Sequence, residues 1–170
     1  MTDSARITTT KALLSFFETL DASVLPPLMT EDFVHEFRPY TVGSALPPLL
    51  DKKSTIDFVA GFGKVMKSFP FTAKEIIESE KENKVVVWCS SKVIWKDEVL
   101  EGDEGLSAEE GGQLGNGWEY EGEYVLILEF EEGTGRIRRF VEFMDSYATL
   151  EKALKLLGRA GGNMAKKLGQ

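Results

Sequence analysis

One cysteine, Cys89, and one histidine, His35, occur in 170 residues. A lone cysteine permits no intrachain disulfide, so nothing here requires an oxidising compartment. A lone histidine excludes a multi-histidine zinc site, and a lone thiol excludes a thiolate cluster. Basic residues are outnumbered: 20 Lys and Arg stand against 28 Asp and Glu, a net charge of −8. Nucleic acid and anionic membranes both call for clustered Lys and Arg, so neither is expected as a partner. No apolar run approaches the length of a membrane span, and the opening Met-Thr-Asp-Ser-Ala-Arg lacks the apolar stretch of a secretory signal. The expectation is a soluble, cytoplasmic protein. Gly61-Phe-Gly63 lies inside a helical pattern, without the strand–turn–helix setting of a dinucleotide site. There is no nucleophile elbow. No metal and no cofactor is expected.

What is present is a core. A 42% hydrophobic content is that of a soluble globular protein, and the length suits one domain over residues 1–160 with a flexible tail at 161–170. Leu13, Phe16, Phe17 and Leu20 repeat at helical spacing over residues 8–20, with Thr8 or Thr9 able to cap. A short second helix is expected over Asp21–Met29. Asp32–Arg38 alternates, placing Phe33, His35 and Phe37 on one face and Val34, Glu36 and Arg38 on the other, until Pro39 ends the strand. A loop follows over Tyr40–Asp51. Ser54–Phe69 reads as one helix, with Ser54 and Asp57 approximating a capping box. Strands are then predicted over Thr72–Glu80, Lys84–Asp97, Trp118–Glu131 and Arg136–Met144. Short polar or Gly-containing joins pair the first two and the last two as hairpins. The acidic, Gly-rich stretch Glu98–Asn116 reads as a mobile excursion. A final helix carries Leu150, Ala153, Leu154 and Leu157 and is predicted to stop at Gly158.

Helices, a short strand ending in Pro, a helix, then long antiparallel strands form a distinctive order. With Leu20–Asp21, the run Thr30-Glu-Asp-Phe-Val-His-Glu-Phe-Arg-Pro39, Gly133–Ile137 and Val141-Glu-Phe-Met-Asp145, it resembles the SnoaL-like polyketide cyclase and isomerase branch of the nuclear transport factor two-like superfamily. The His-Glu-Phe-Arg-Pro, Val87–Trp88 and Glu-Phe-Met-Asp elements are similar to those of small fungal tailoring proteins. The resemblance implies an α+β cone: a curved antiparallel sheet wrapped around helices, with one deep apolar pocket. It also implies a homodimer through the outer sheet face. The implied function is a cofactor-independent isomerase or cyclase acting on a small hydrophobic aromatic substrate of polyketide origin. A non-catalytic binding module, or a dehydratase or hydrolase, would share the same cone. Ketosteroid isomerases share it too. Their helix Tyr, their Asp base before Pro and their late-strand Asp align with Phe16, Arg38 and Leu126 here, so their mechanism does not transfer.

The same alignment turns Phe140, Glu142 and Met144 towards the cavity, beside Tyr124, Leu126 and Leu128. Glu142 is the first candidate catalytic residue, because a carboxylate in apolar surroundings is desolvated and suited to acid–base work near neutrality. It could instead pair with Arg136, Arg138, Arg139 or Arg38. His35, the one side chain that titrates near neutral pH when unperturbed, is the expected proton partner, or else a core histidine. Arg38 cannot be a base, but could stabilise an enolate, or else pair with Glu36 or Asp32. It and His35 reach one pocket only if the strand bulges before Pro39. Asp145 is either catalytic or a helix cap. Phe37, Tyr40, Trp88, Tyr124, Phe140 and Met144 are candidate pocket walls. Trp95, Trp118 and Tyr120 are read as a lid hinge or dimer contact. Cys89 has no base beside it and is not expected to be a nucleophile.

Overall fold

The computed structural model of the chain describes residues 2–101 and 117–168. Helix α1, Ala5–Thr19, begins three residues earlier than the apolar repeat suggests, because Ser4 caps it by accepting a hydrogen bond from the Ile7 amide at 3.1 Å. It ends at Leu20, whose φ of 54° is left-handed and turns its amide back to the Phe16 carbonyl. The expected second helix is two short 3-10 turns, Ala22–Val24 and Pro26–Leu28. Pro26 and Pro27 lack the amides a longer helix would need.

Strand β1, Met29–Arg38, follows, and then β2, Leu49–Asp51, inside the expected loop. Asp51, not Ser54, caps helix α2, Lys52–Phe62. The single helix predicted over residues 54–69 is therefore divided. Gly61 and Gly63 weaken its end, and Met66–Ser68 becomes β3, pairing with β6, Ile94–Trp95. Val65, Met66 and Phe69 are buried as a helix would bury them, but from a turn and a strand.

The remaining strands are β4, Phe71–Ser79, β5, Lys84–Lys92, β7, Glu121–Phe130, and β8, Ile137–Met144. They form a six-stranded sheet in the order β2-β1-β8-β7-β5-β4. The expected wholly antiparallel sheet is corrected in one place: β1 and β8 run parallel. That pairing sets His35 opposite Phe140 and Phe37 opposite Glu142. The other neighbours are antiparallel, with Leu126 opposite Glu142 and Tyr124 opposite Met144.

After β8 the chain turns through Ser146–Ala148, makes a π-helical turn over Thr149–Ala153, and continues as a C-terminal helix, Leu154–Lys167. The predicted stop at Gly158 and tail from residue 161 are corrected through Lys167. Buried Leu156 and Ala160 dock the helix, and the Asn163 amide donates to the Val99 carbonyl at 3.0 Å. Tertiary packing outweighs the low helix propensity of three glycines. Residues 102–116 of the predicted acidic excursion lie outside the described residues.

The outer side of β1 and β8 carries an ionic network. Glu36, almost wholly buried, accepts from Arg139 at 2.6 Å and from Arg38, while Arg139 also donates to Glu129 at 2.7 Å. The Arg139 hydrogen bond holds the Glu36 carboxyl below the usual carboxylate range against the opposing effect of burial. A carboxyl lowered on folding stabilises the fold above its ordinary pKa, and that contribution is lost as pH falls through the lowered value. Thermal midpoints measured between about pH 5 and pH 2 should therefore fall less steeply in Glu36→Gln than in wild type. Equal slopes would remove Glu36 from the account.

Candidate active site

The concave face of the sheet and the three helices enclose a cavity of about 70 Å³, with about 800 Å³ of empty space when its open mouth is counted. Phe16, Phe58, Phe62, Met66 and Leu157 make its wall largely apolar. Two polar pairs interrupt that wall.

The first is His35 with Glu142, 2% and 8% exposed. His35 Nε2 lies 3.2 Å from Glu142 Oε2. The parallel register between β1 and β8 produces this meeting and stacks the imidazole on Phe140, at 4.4 Å between centroids and 10° between planes. Phe37 leans on the imidazole ring at 4.3 Å. When Glu142 is ionised, Nε2 is the donor and Nδ1 is left as an acceptor. Nδ1 is buried without a hydrogen-bond partner among the described residues. The pair thus sets a carboxylate and an imidazole into a largely apolar wall.

The second pair is Tyr120 with Tyr124, their hydroxyl oxygens 2.6 Å apart. Burial raises both phenols above their ordinary range, Tyr124 well above it, so both remain protonated at neutral pH. Thr55 and Thr149 also line the cavity; the buried Thr55 hydroxyl has no hydrogen-bond partner among the described residues, and Thr149 lies beside Tyr120. Among the described residues no cluster of three or more His, Cys, Asp or Glu is placed to hold a metal ion. No helix among them is long and apolar enough to cross a membrane.

No protein-family model matches the sequence, and no curated protein matches it. Solved structures do match its fold. AusH from Aspergillus nidulans is 24% identical over 85% of this chain and 86% of that one, with a TM-score of 0.62. The pinacolase BvnE from Penicillium brevicompactum is 21% identical over 93% and 95%, with a TM-score of 0.67. A nuclear transport factor two-like protein from Burkholderia pseudomallei is 16% identical over 88% and 98%, with a TM-score of 0.64. The chain has the nuclear transport factor two-like fold. At these identities the likeness fixes the cone and nothing finer.

Within the cone, His35, Phe37, Tyr124, Phe140, Glu142 and Met144 all line the cavity. Four other candidates do not. Arg38 lies on the opposite face of β1, paired with Glu36 and donating to the Phe37 carbonyl at 3.1 Å. β1 does bulge, but between Met29 and Val34, which leaves the parity of His35 and Arg38 unchanged. Tyr40 follows Pro39 out of the strand and is 88% exposed. Trp88 is 43% exposed on the outer face of the cone, its indole donating to Glu123 at 2.9 Å under the Lys74 ammonium. Asp145 is a helix cap, accepting from the Ala148 amide at 3.1 Å. Cys89 is buried and its thiol is pushed up to about 12, mainly by burial, which makes it a poor nucleophile. Tyr120, expected at a lid hinge or dimer contact, instead lines the cavity. A signal was available: in Tyr120-Glu-Gly-Glu-Tyr124 the acids alternate with Tyr, Gly and Tyr, as in a strand with one dry face.

Proposed function

We propose that this protein is a cofactor-independent isomerase or cyclase that moves a proton within a hydrophobic, oxygenated aromatic molecule of polyketide origin. The observation that carries the reading is the His35–Glu142 contact inside an apolar cavity. Glu142 takes a proton from a carbon next to a carbonyl, and the C–H electron pair passes into an enolate. The His35–Glu142 pair returns that proton to another carbon or to oxygen, so the product is an isomer and no oxidant is consumed. In the cyclase variant the enolate carbon bonds to a second carbonyl carbon of the same molecule, and the new alkoxide takes the proton. The aromatic wall suits a flat substrate, and a pinacolase on the same cone supports rearrangement chemistry there. The test is solvent exchange. Aromatic 1,3-dicarbonyl compounds are incubated with the protein in D₂O, and deuterium entering carbon is followed by NMR. A protein that only binds ligands, the alternative favoured by the narrow cavity, would bind without speeding exchange.

The protein is further proposed to work in the cytoplasm as a homodimer. Trp88 and Phe143 stand partly exposed on the outer sheet face, a surface a second copy would cover. Trp88→Glu should halve the mass found by light scattering. A wild-type mass of one chain would end the dimer reading.

A further inference from the structure

We infer that Tyr120 and Tyr124 form an oxyanion site for the substrate's carbonyl oxygen, and that Gly122 exists to let them meet. The inference rests on the proton-transfer reading of the same cavity and names the group that takes the charge. The tyrosines lie four apart on the chain, and Tyr120 lies back across Gly122 to reach its partner. A Cβ at Gly122 would stand 2.3 Å from the Tyr120 hydroxyl oxygen and 3.1 Å from the Tyr124 ring. Gly122 has no left-handed φ. The missing side chain is therefore needed for space, not for backbone freedom.

Two hydroxyls 2.6 Å apart share one hydrogen. One phenol donates to the other, which leaves the second with an O–H that a ligand oxygen in the cavity could accept from. Thr149 adds a third buried hydroxyl, close enough to Tyr120 to act on its phenol as a donor. It is presented by the π-helical turn at the start of the C-terminal segment, and such turns recur at functional sites. A donor that itself accepts a hydrogen bond is polarised and donates more strongly. Set in a largely apolar cavity, it stabilises charge as that charge develops on oxygen. The ligand class follows: a ketone, quinone or phenol whose oxygen becomes anionic when carbon loses its proton to Glu142.

The probe is 4-nitrophenol, whose bound phenolate is read by its visible absorption. Glu142→Gln is the host protein, because a neutral side chain there mimics the state after proton abstraction. In that host the phenolate should bind at least tenfold more tightly than the phenol. Adding Tyr124→Phe, Tyr120→Phe or Gly122→Ala should reduce that preference about 10- to 100-fold, the range for a hydrogen bond to a charged group. Circular dichroism verifies folding, and if Gly122→Ala fails to fold the two phenylalanine variants decide. No preference for phenolate in the host, or a preference untouched by the tyrosine variants, overturns the inference. Either result leaves proton transfer standing if exchange still needs His35 and Glu142. Conversely, exchange that survives loss of those two overturns proton transfer while the phenolate preference stands alone.

Discussion

Replacing His35 by alanine, or Glu142 by glutamine, should lower deuterium exchange into substrate carbon by about 10²- to 10⁴-fold, the usual worth of a positioned acid or base. The glutamine is nearly isosteric but cannot accept a proton at neutral pH, so the loss would be chemical, not steric. His35→Ala removes both the hydrogen bond to Oε2 and the free Nδ1, leaving Glu142 in an apolar wall without its partner. Because the two act as one unit, the double variant should be little worse than either single one. Arg38→Ala is the control. Its guanidinium serves Glu36 on the far side of β1, so exchange should stay within about twofold of wild type, well below any transition-state contact. Full exchange in both His35→Ala and Glu142→Gln would remove these two residues from the chemistry.

Phe16→Ala should cost about 3–5 kcal/mol of stability, the range for deleting a buried aromatic ring. Phe16 is 1% exposed on α1, packs edge-on against Phe17 at 4.8 Å, and lines the cavity. The helix cannot slide inward to fill the gap, because Phe17, its neighbour, is already wedged against Phe71 at 4.5 Å. For a chain of this size the thermal midpoint should drop by roughly 10 °C. The space released adds to the cavity, so larger aromatic ligands should gain relative to smaller ones. A drop of only about 1 °C would mean that the cavity wall relaxes freely around the lost ring.

Most strands were legible because alternation and polar turns mark them, and the parity of Phe140, Glu142 and Met144 carried over to the cavity wall. The face of His35 was legible for the same reason. The parallel neighbour of β1 was not, since no local pattern encodes a pairing between distant segments. Trp88 was misplaced because Val85-Val-Val-Trp-Cys89 is apolar throughout, and a strand without alternation does not declare its inner face. The end of α2 was misread because buried Val65, Met66 and Phe69 suit a helix or a turn and strand equally. The inward face of Tyr120 is legible in the alternation of Tyr120-Glu-Gly-Glu-Tyr124, but its approach to Tyr124 depends on the space above Gly122, which no local pattern declares.

The parallel seam between β1 and β8 has a further consequence. His35 and Glu142 are 107 positions apart and meet only through that seam. Closing a loop of that length is entropically costly, and its gain arrives only when both strands are in register. A chain that had formed its local hairpins alone would hold each half of the proton pair on a separate piece. Exchange activity would therefore return during refolding in step with this long-range closure, and later than the hairpins.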